Sequence, residues 1–372
     1  MPIFMDRHDV SDTITAENVA QLHQEDLKIQ DQFGCRGLTY WFDGKRKTAF
    51  CLIEAADKNA IVKMHNMAHG QVPHRIIEVE PSIVESFLGR IEDPEKAKNT
   101  NLNIINDAAF RTIMVLRLKP LSLNYKNATS LKSSLANYRE GIVDVLNNSQ
   151  GSVVKQSEAG FLVSFKTVTN AVHASFDIKS LLKESGRKIR KDKIVLKIGL
   201  CAGVPVTEKK SIFEDTIKLA ERMCEVVKGE TIISSEVKEL YNSESRKGLT
   251  LGKSIRCLTQ ADETFLTALL DYIESSWRNT KLKIDNFSKS MGYSRSQLYR
   301  HMILLTGQSP NAFIQGYRLN EALKLLNKKT NSISQVAFET GFTSQSYFSK
   351  CFVKKYGYLP SEHALLLSTI ER

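Results

Sequence analysis

Two groups of residues in this sequence have the types and spacing to do chemistry. The first is a set of imidazoles. His65 and His69 stand four apart, so on a helix both rings share one side and can share one metal ion. His8 and Asp9 follow the strand-like run Ile3-Phe4-Met5 and can approach the same place. Nitrogen donors of this kind suit nickel or another divalent transition metal such as zinc or copper. The plain alternative is a pair of solvated surface histidines. The second group lies near the end of the chain: Arg295, Ser296, Tyr299 and Arg300, and again Gln345, Ser346, Ser349 and Lys350. These side chains carry the donors that base edges and phosphates need. For each of them singly, the alternative is a solvated helix face.

The second group depends on a pattern that occurs twice. Ile284, Phe287 and Gly292 recur at an offset of 49 as Ile333, Val336 and Gly341. Ser294, Leu298, Arg300 and Met302 recur at an offset of 50 as Ser344, Phe348, Lys350 and Phe352, so the extra residue falls in the turn. Apolar residues three and four apart make one face of a short helix. Gly292 and Gly341 can take the positive φ that stops it. Ser294 suits an N-cap, and Gln297 completes a capping-box pattern. The next helix buries Leu298, Met302 and Leu305 and turns the polar group outward. Between the units, Ala312, Phe313, Tyr317, Leu319, Ala322, Leu323 and Leu326 line a helix from about Asn311 to Asn327, with Pro310 in its first turn. A stiff helix of this length would fix the spacing of the two units; if both recognition helices enter one face of the DNA, they should sit roughly 34 Å apart, one turn of the duplex.

Residues 264–367 resemble the AraC/XylS family of bacterial transcriptional regulators. The resemblance is carried by Ile333, Ala337, Gly341, Phe342, Ser344, Tyr347, Phe348, Phe352, Lys354, Lys355, Gly357, Pro360 and Ser361, with Arg318, Leu319, Ala322 and Leu326 in the connecting helix. It implies an all-α double helix-turn-helix domain that binds double-stranded promoter DNA, with RNA polymerase as a further partner. Ser296, Tyr299, Arg300, Gln345, Ser346 and Lys350 would face the major groove. One departure is Ile303-Leu304-Leu305, where many relatives carry lysines, so fewer phosphate contacts are expected there.

The N-terminal elements read β-α-β-β-α-β over residues 1–80, the ferredoxin-like order. A helix pattern from Ala16 to Phe33 turns Val19, Leu22 and Leu27 inward, and a second runs from Lys58 to His69. His8-Asp9, Tyr40-Trp41, Phe50 to Ala55, His65, Ala68-His69-Gly70 and Ile76 to Val79 are similar to small ferredoxin-like proteins described as nickel-binding. That resemblance implies a metal site, with His8, His65 and His69 as its candidates. Residues 92–108 are polar and read as a linker.

The middle of the chain is again α/β, with strands at Thr112–Leu118, Ile194–Cys201 and Thr231–Ser234, a hairpin of Val153–Lys155 and Gly160–Phe165, and helices at Leu131–Leu146, about Asn170–Leu182 and Ile212–Val227. Gly160-Phe161-Leu162, Lys197-Ile198-Gly199-Leu200, Asp215-Thr216, Arg222 and Gly229 to Ser234 resemble the catalytic domain of class III nucleotidyl cyclases. That chemistry needs two carboxylates holding metal ions against a triphosphate. The family's two aspartates would fall at Arg117 and Ala159, and its helix asparagine at Lys218. A degenerate, inactive cyclase-like domain is expected, and no catalytic residue is assigned.

The fold class expected is therefore multidomain: two α/β (α+β) domains, ferredoxin-like over 1–92 and cyclase-like over 108–258, then an all-α double helix-turn-helix domain over 262–372. Net charge is −4 over residues 1–100, +10 over 101–260 and +5 over 261–372. A basic C-terminal domain fits a polyanion partner. No run of 18 apolar residues occurs, and no apolar signal-peptide core stands near the start. The six cysteines are scattered without a C-x-x-C pair, as expected of reduced thiols in a cytoplasmic protein. The function expected is sequence-specific transcriptional regulation, with the N-terminal domains sensing a ligand or setting a homodimer. The alternatives are a nucleotidyl cyclase with a DNA-binding tail and a metal-binding or storage protein.

Overall fold

Strand β1 (Ile3–Asp9) lies at the centre of the N-terminal sheet and is antiparallel to both neighbours, β3 (Thr48–Glu54) and β4 (Arg75–Val79). With β2 (Arg36–Asp43) at the far edge, the sheet order is β2-β3-β1-β4. Helices α1 (Ala16–Ile29) and α2 (Lys58–Ala68) complete the β-α-β-β-α-β order. A computed structural model of the chain describes residues 1–95, 101–120, 128–186, 194–244, 254–282, 284–328 and 332–363.

One face of this sheet carries the apolar core under α1 and α2, where Phe4, Tyr40, Phe42, Ile53, Ile61 and Met64 are buried. On α1 the inner face is more polar than its pattern predicts. Val19, Ala20, His23 and Asp26 are buried, whereas Leu22 and Leu27 are half-buried. The other face carries Met5, Trp41, Phe50, Leu52 and Ile77 and meets helix α3 (Pro81–Leu88). It also meets Ile113, Val206, Ile212 and Phe213 from the next part of the chain. The described part of 92–108 is not a free linker. The Tyr40 hydroxyl donates to Asn103 O and accepts from Ile105 N, each at 2.8 Å, and Ile105 is buried. Residues 96–100 of that expected linker lie outside the described residues.

The second sheet has six strands: β5 (Arg111–Pro120), β6 (Ser152–Ser157), β7 (Gly160–Phe165), β8 (Ile194–Gly203), β9 (Thr231–Ile233) and β10 (Ile255–Cys257), in the order β10-β9-β8-β5-β7-β6. Helices α4 (Ala128–Asn148), α5 (Val168–Gly186) and α7 (Ser235–Glu244) pack on one face through Ile142, Leu146, Val172, Ile178, Val237 and Tyr241. Helix α6 (Glu214–Val226) packs on the other, with Ala220, Met223 and Cys224 against Val115 and Cys201. Neither α3 nor α7 was expected from the sequence pattern. Both are short, and their local marks are slight: Pro81 at the first turn of α3 and a left-handed Gly89 at its end.

Six helices follow: α8 (Gln260–Ser276), α9 (Ile284–Ser290), α10 (Arg295–Thr306), α11 (Pro310–Asn327), α12 (Ile333–Glu339) and α13 (Gln345–Tyr356). Helix α8 presents Phe265, Leu266, Leu269, Leu270 and Ile273 to the same core as α6, and Phe287, Leu298, Met302 and Leu305 of α9 and α10 extend it. Among the described residues, no helix is long and apolar enough to cross a membrane.

Candidate functional site

In β1, residues two apart share a face. Asp6 and His8 therefore both turn towards α1 and α2, where His65 and His69 stand on and just after the last turn of α2. The three expected ligands meet in one cleft of about 680 Å³ lined by His8, Cys51, Asp26, His65 and His69. They do not form one triad. His69 Nε2, His65 Nδ1 and Asp26 Oδ1 make one set with ligand atoms within 4.8 Å of one another, and Asp6, His8 and Cys51 make a second.

Asp6 joins the two sets. Its Oδ2 lies 3.0 Å from His65 Nε2, and its Oδ1 lies 3.4 Å from His8 Nε2 and accepts from the Cys51 amide at 2.9 Å. Asp26 Oδ1 lies 3.0 Å from His65 Nδ1 and 3.2 Å from His69 Nε2. Each ring nitrogen of His65 therefore faces a carboxylate. Burial would lower its basicity, but the bonds to Asp26 and Asp6 outweigh this and push it up to about 10. Burial would likewise push the Asp6 carboxyl up; the His8 charge and the hydrogen bonds from His65 and His8 overcome that and hold it far below the usual carboxylate range. Asp26 follows the same pattern, its carboxyl lowered by hydrogen bonds from His65 and His69 against the effect of burial.

The donors fit a divalent metal. Imidazole nitrogens with carboxylate oxygens suit nickel or zinc. The Asp6–His65 contact has the form of an outer carboxylate orienting a ligating histidine. His8 Nε2 and Asp26 Oδ1 are buried and face only the other members of the cluster, so a cation bound there would be held by side chains already gathered out of water. Asp6, Asp26 and Cys51 are the members that sequence reasoning missed. Asp6 had a signal, its spacing of two from His8 on a strand; Asp26 and Cys51 had none beyond their type.

The expected DNA-reading residues lie at the starts of α10 and α13. Ser294 caps α10, accepting from Gln297 N at 3.2 Å, while Gln297 Oε1 accepts from Ser294 N at 2.9 Å. Ser344 caps α13 by accepting from Tyr347 N at 3.4 Å. The preceding turn glycines have φ of 68° at Gly292 and 78° at Gly341. Beyond each cap Leu298, Met302, Phe348 and Phe352 are buried. Arg295, Ser296, Tyr299 and Arg300 are exposed on α10, as are Gln345, Ser346 and Lys350 on α13. Ser349 is half-buried rather than outward. Tyr347, not among the expected residues, is exposed on α13, and its hydroxyl accepts from Gln315 Nε2 at 2.9 Å.

Residues 287–364 match the family described as "Helix-turn-helix domain". A relative from Pseudoalteromonas carrageenovora, an uncharacterized HTH-type transcriptional regulator, is 33% identical over 129 residues, covering 34% of this chain and 72% of its own length. The chain belongs to the AraC-type helix-turn-helix transcriptional regulators. A protein described as histidine kinase P4 from Formosa agariphila is 36% identical over 106 residues, 28% of this chain, and the chain spans only 8% of that kinase. Residues 4–79 match the family "Nickel responsive protein SCO4226-like". The solved structure of SCO4226 from Streptomyces coelicolor A3(2) is 31% identical and covers 21% of this chain and 94% of its own, with a TM-score of 0.20.

The positions where cyclases hold metal are occupied differently. Arg117 in β5 donates to Glu221 at 2.8 Å, and Ala159 sits in the β6–β7 turn, where its carbonyl accepts from Leu118 N at 3.0 Å. Lys218 lies 3.5 Å from Asp271 of α8, and Arg222 pairs with both Asp271 and Glu274.

Proposed function

We propose that this protein is a sequence-specific DNA-binding transcriptional regulator whose N-terminal domain senses a divalent transition metal, nickel first among them. The observation that carries the reading is the pair of capped helices, α10 and α13, each with a buried apolar side and an exposed start rich in Arg, Lys, Gln, Ser and Tyr. Arg295, Ser296, Tyr299 and Arg300 would read one half-site of double-stranded DNA. Gln345, Ser346 and Lys350 would read the next, with Ser349 beside them. The chain's basic character beyond residue 100 adds sequence-independent attraction to phosphate. We further propose the domain division 1–92, 108–258 and 262–372, a cytoplasmic location, a homodimer, and RNA polymerase as a partner at the promoter. The middle domain is read as cyclase-like in topology and not as an enzyme, since Arg117 and Ala159 offer no carboxylate to hold a metal against a triphosphate.

Selection of bound sites from a random duplex pool, with and without nickel, tests both halves of the reading. We expect one enriched site whose occupancy changes when nickel is added. Arg300→Ala and Lys350→Ala should each weaken binding to it by about 1–3 kcal/mol and relax the preference at one base position. Equal retention of all sequences, with a salt response that is the same for every duplex, would reject the reading.

A further inference from the structure

The two helix-turn-helix units have separate apolar cores. Phe313 and Ile314, in the first half of α11, belong to the core of α8, α9 and α10. Leu319, Ala322 and Leu326, in its second half, belong to the core of α12 and α13. Between the halves stands Arg318. Its Nε donates to Trp277 O at 2.7 Å and its Nη2 to Asn279 O at 2.8 Å. Trp277 is the C-cap residue of α8, and Asn279 lies in the turn that leads to α9. The turn of the second unit presses on the same group. A methyl added at Gly341 would come within 2.9 Å of Arg318 Nε and 3.0 Å of the Trp277 carbonyl oxygen.

From this geometry we propose that Arg318 is a positioning residue that sets the spacing and angle between the two recognition helices. It rests on the DNA-reading function proposed above. Helix α11 fixes the separation of the units along its axis. Two cores that close independently leave the rotation and bend of one unit against the other open. Arg318 removes that freedom, because one planar guanidinium is bonded to the end of α8 and to the turn into α9 while the α12–α13 turn packs closely against it at Gly341. The guanidinium carries its donors in a fixed fork and keeps a flat face free for the glycine, which an ammonium group does not. Discrimination of spacing follows, since one added base pair shifts a half-site by roughly 3.4 Å and turns it by roughly 35°.

The test uses the full chain and the duplex recovered by selection, in native form, with one base pair inserted between the half-sites, and cut to one half-site. Fluorescence anisotropy of the labelled duplexes gives the affinities, and circular dichroism with thermal melting shows that each variant is folded. Wild-type protein should lose about tenfold or more on insertion, the size of a lost base contact. Arg318→Ala should bind the native spacing about tenfold more weakly, lose less than about threefold on insertion, and bind the single half-site as wild type does. Arg318→Lys, which keeps the charge without the fork, should follow the alanine variant and carries the test if alanine prevents folding. Wild-type spacing discrimination in either folded variant overturns the proposal. Failure of the wild-type chain to select any sequence overturns the DNA-reading function instead.

Discussion

At the scale of residues, the buried imidazole–carboxylate cluster couples proton binding to stability. The raised basicity of His65 contributes stability that is complete below the ordinary imidazole range and is lost as pH rises through about 10. The lowered carboxyls of Asp6 and Asp26 contribute stability that is present above the ordinary carboxylate value of 3.8 and is lost as pH falls through their folded values. The metal-free cluster is therefore most stabilising between those limits. A metal at His65 Nδ1 must displace a proton from that ring, so nickel affinity should rise with pH up to about 10. Titration calorimetry in buffers of different ionisation enthalpy should show proton release on nickel binding. His65→Ala combined with His69→Ala should abolish the bound nickel measured by elemental analysis; unchanged metal content in that double variant would exclude this site.

At the scale of elements, each recognition helix is set by its cap. Ser294 and Gln297 form a reciprocal pair at α10, and Ser332 and Gln335 repeat it at α12. The four orphan amides at a helix start need such acceptors. Ser294→Ala should cost about 1 kcal/mol of stability in chemical denaturation. Ser344→Ala should cost less, because its bond to Tyr347 N is longer at 3.4 Å. Equal losses at the two caps, or none at Ser294, would show that tertiary packing rather than capping fixes these helix starts.

At the scale of the whole molecule, the apolar cores cross the boundaries between sheets and helices. One core joins the sheet residues Val115, Cys201 and Ile232 to α6, α8, α9 and α10 without interruption. Polar bonds reinforce it at the end of α10, where Lys228 N donates to Leu305 O at 2.9 Å and Arg256 Nη2 to Leu304 O at 2.7 Å. Those carbonyls are helix-end orphans, so the segment after α6 and strand β10 satisfy two acceptors that the Gly307 cap of α10 leaves open. Leu269→Ala, at a fully buried position of α8 in this core, should cost about 2–5 kcal/mol. Scanning calorimetry should show the second sheet and the first helical unit melting together at a lower temperature. Two transitions, only one of them moved, would contradict a shared core.

The sequence by itself determined the doubled helical unit, the β-α-β-β-α-β order and the imidazole pair of α2. Those features are local: Ser294 and Gln297 stand three apart, His65 and His69 four, and Gly292 and Gly341 mark turns that only a positive φ can make. Tertiary structure alone decided the rest. Asp26 reads as a solvated residue on α1 until the fold brings it to within 3.0 Å of His65 Nδ1. Arg256 and Lys228 read as surface cations until β10 and the end of α6 meet α10. Arg318 reads as a family mark until Trp277 and Gly341 close around it. In each case the partner is distant in sequence, and a polar residue shows its role only when the fold removes water and supplies that partner.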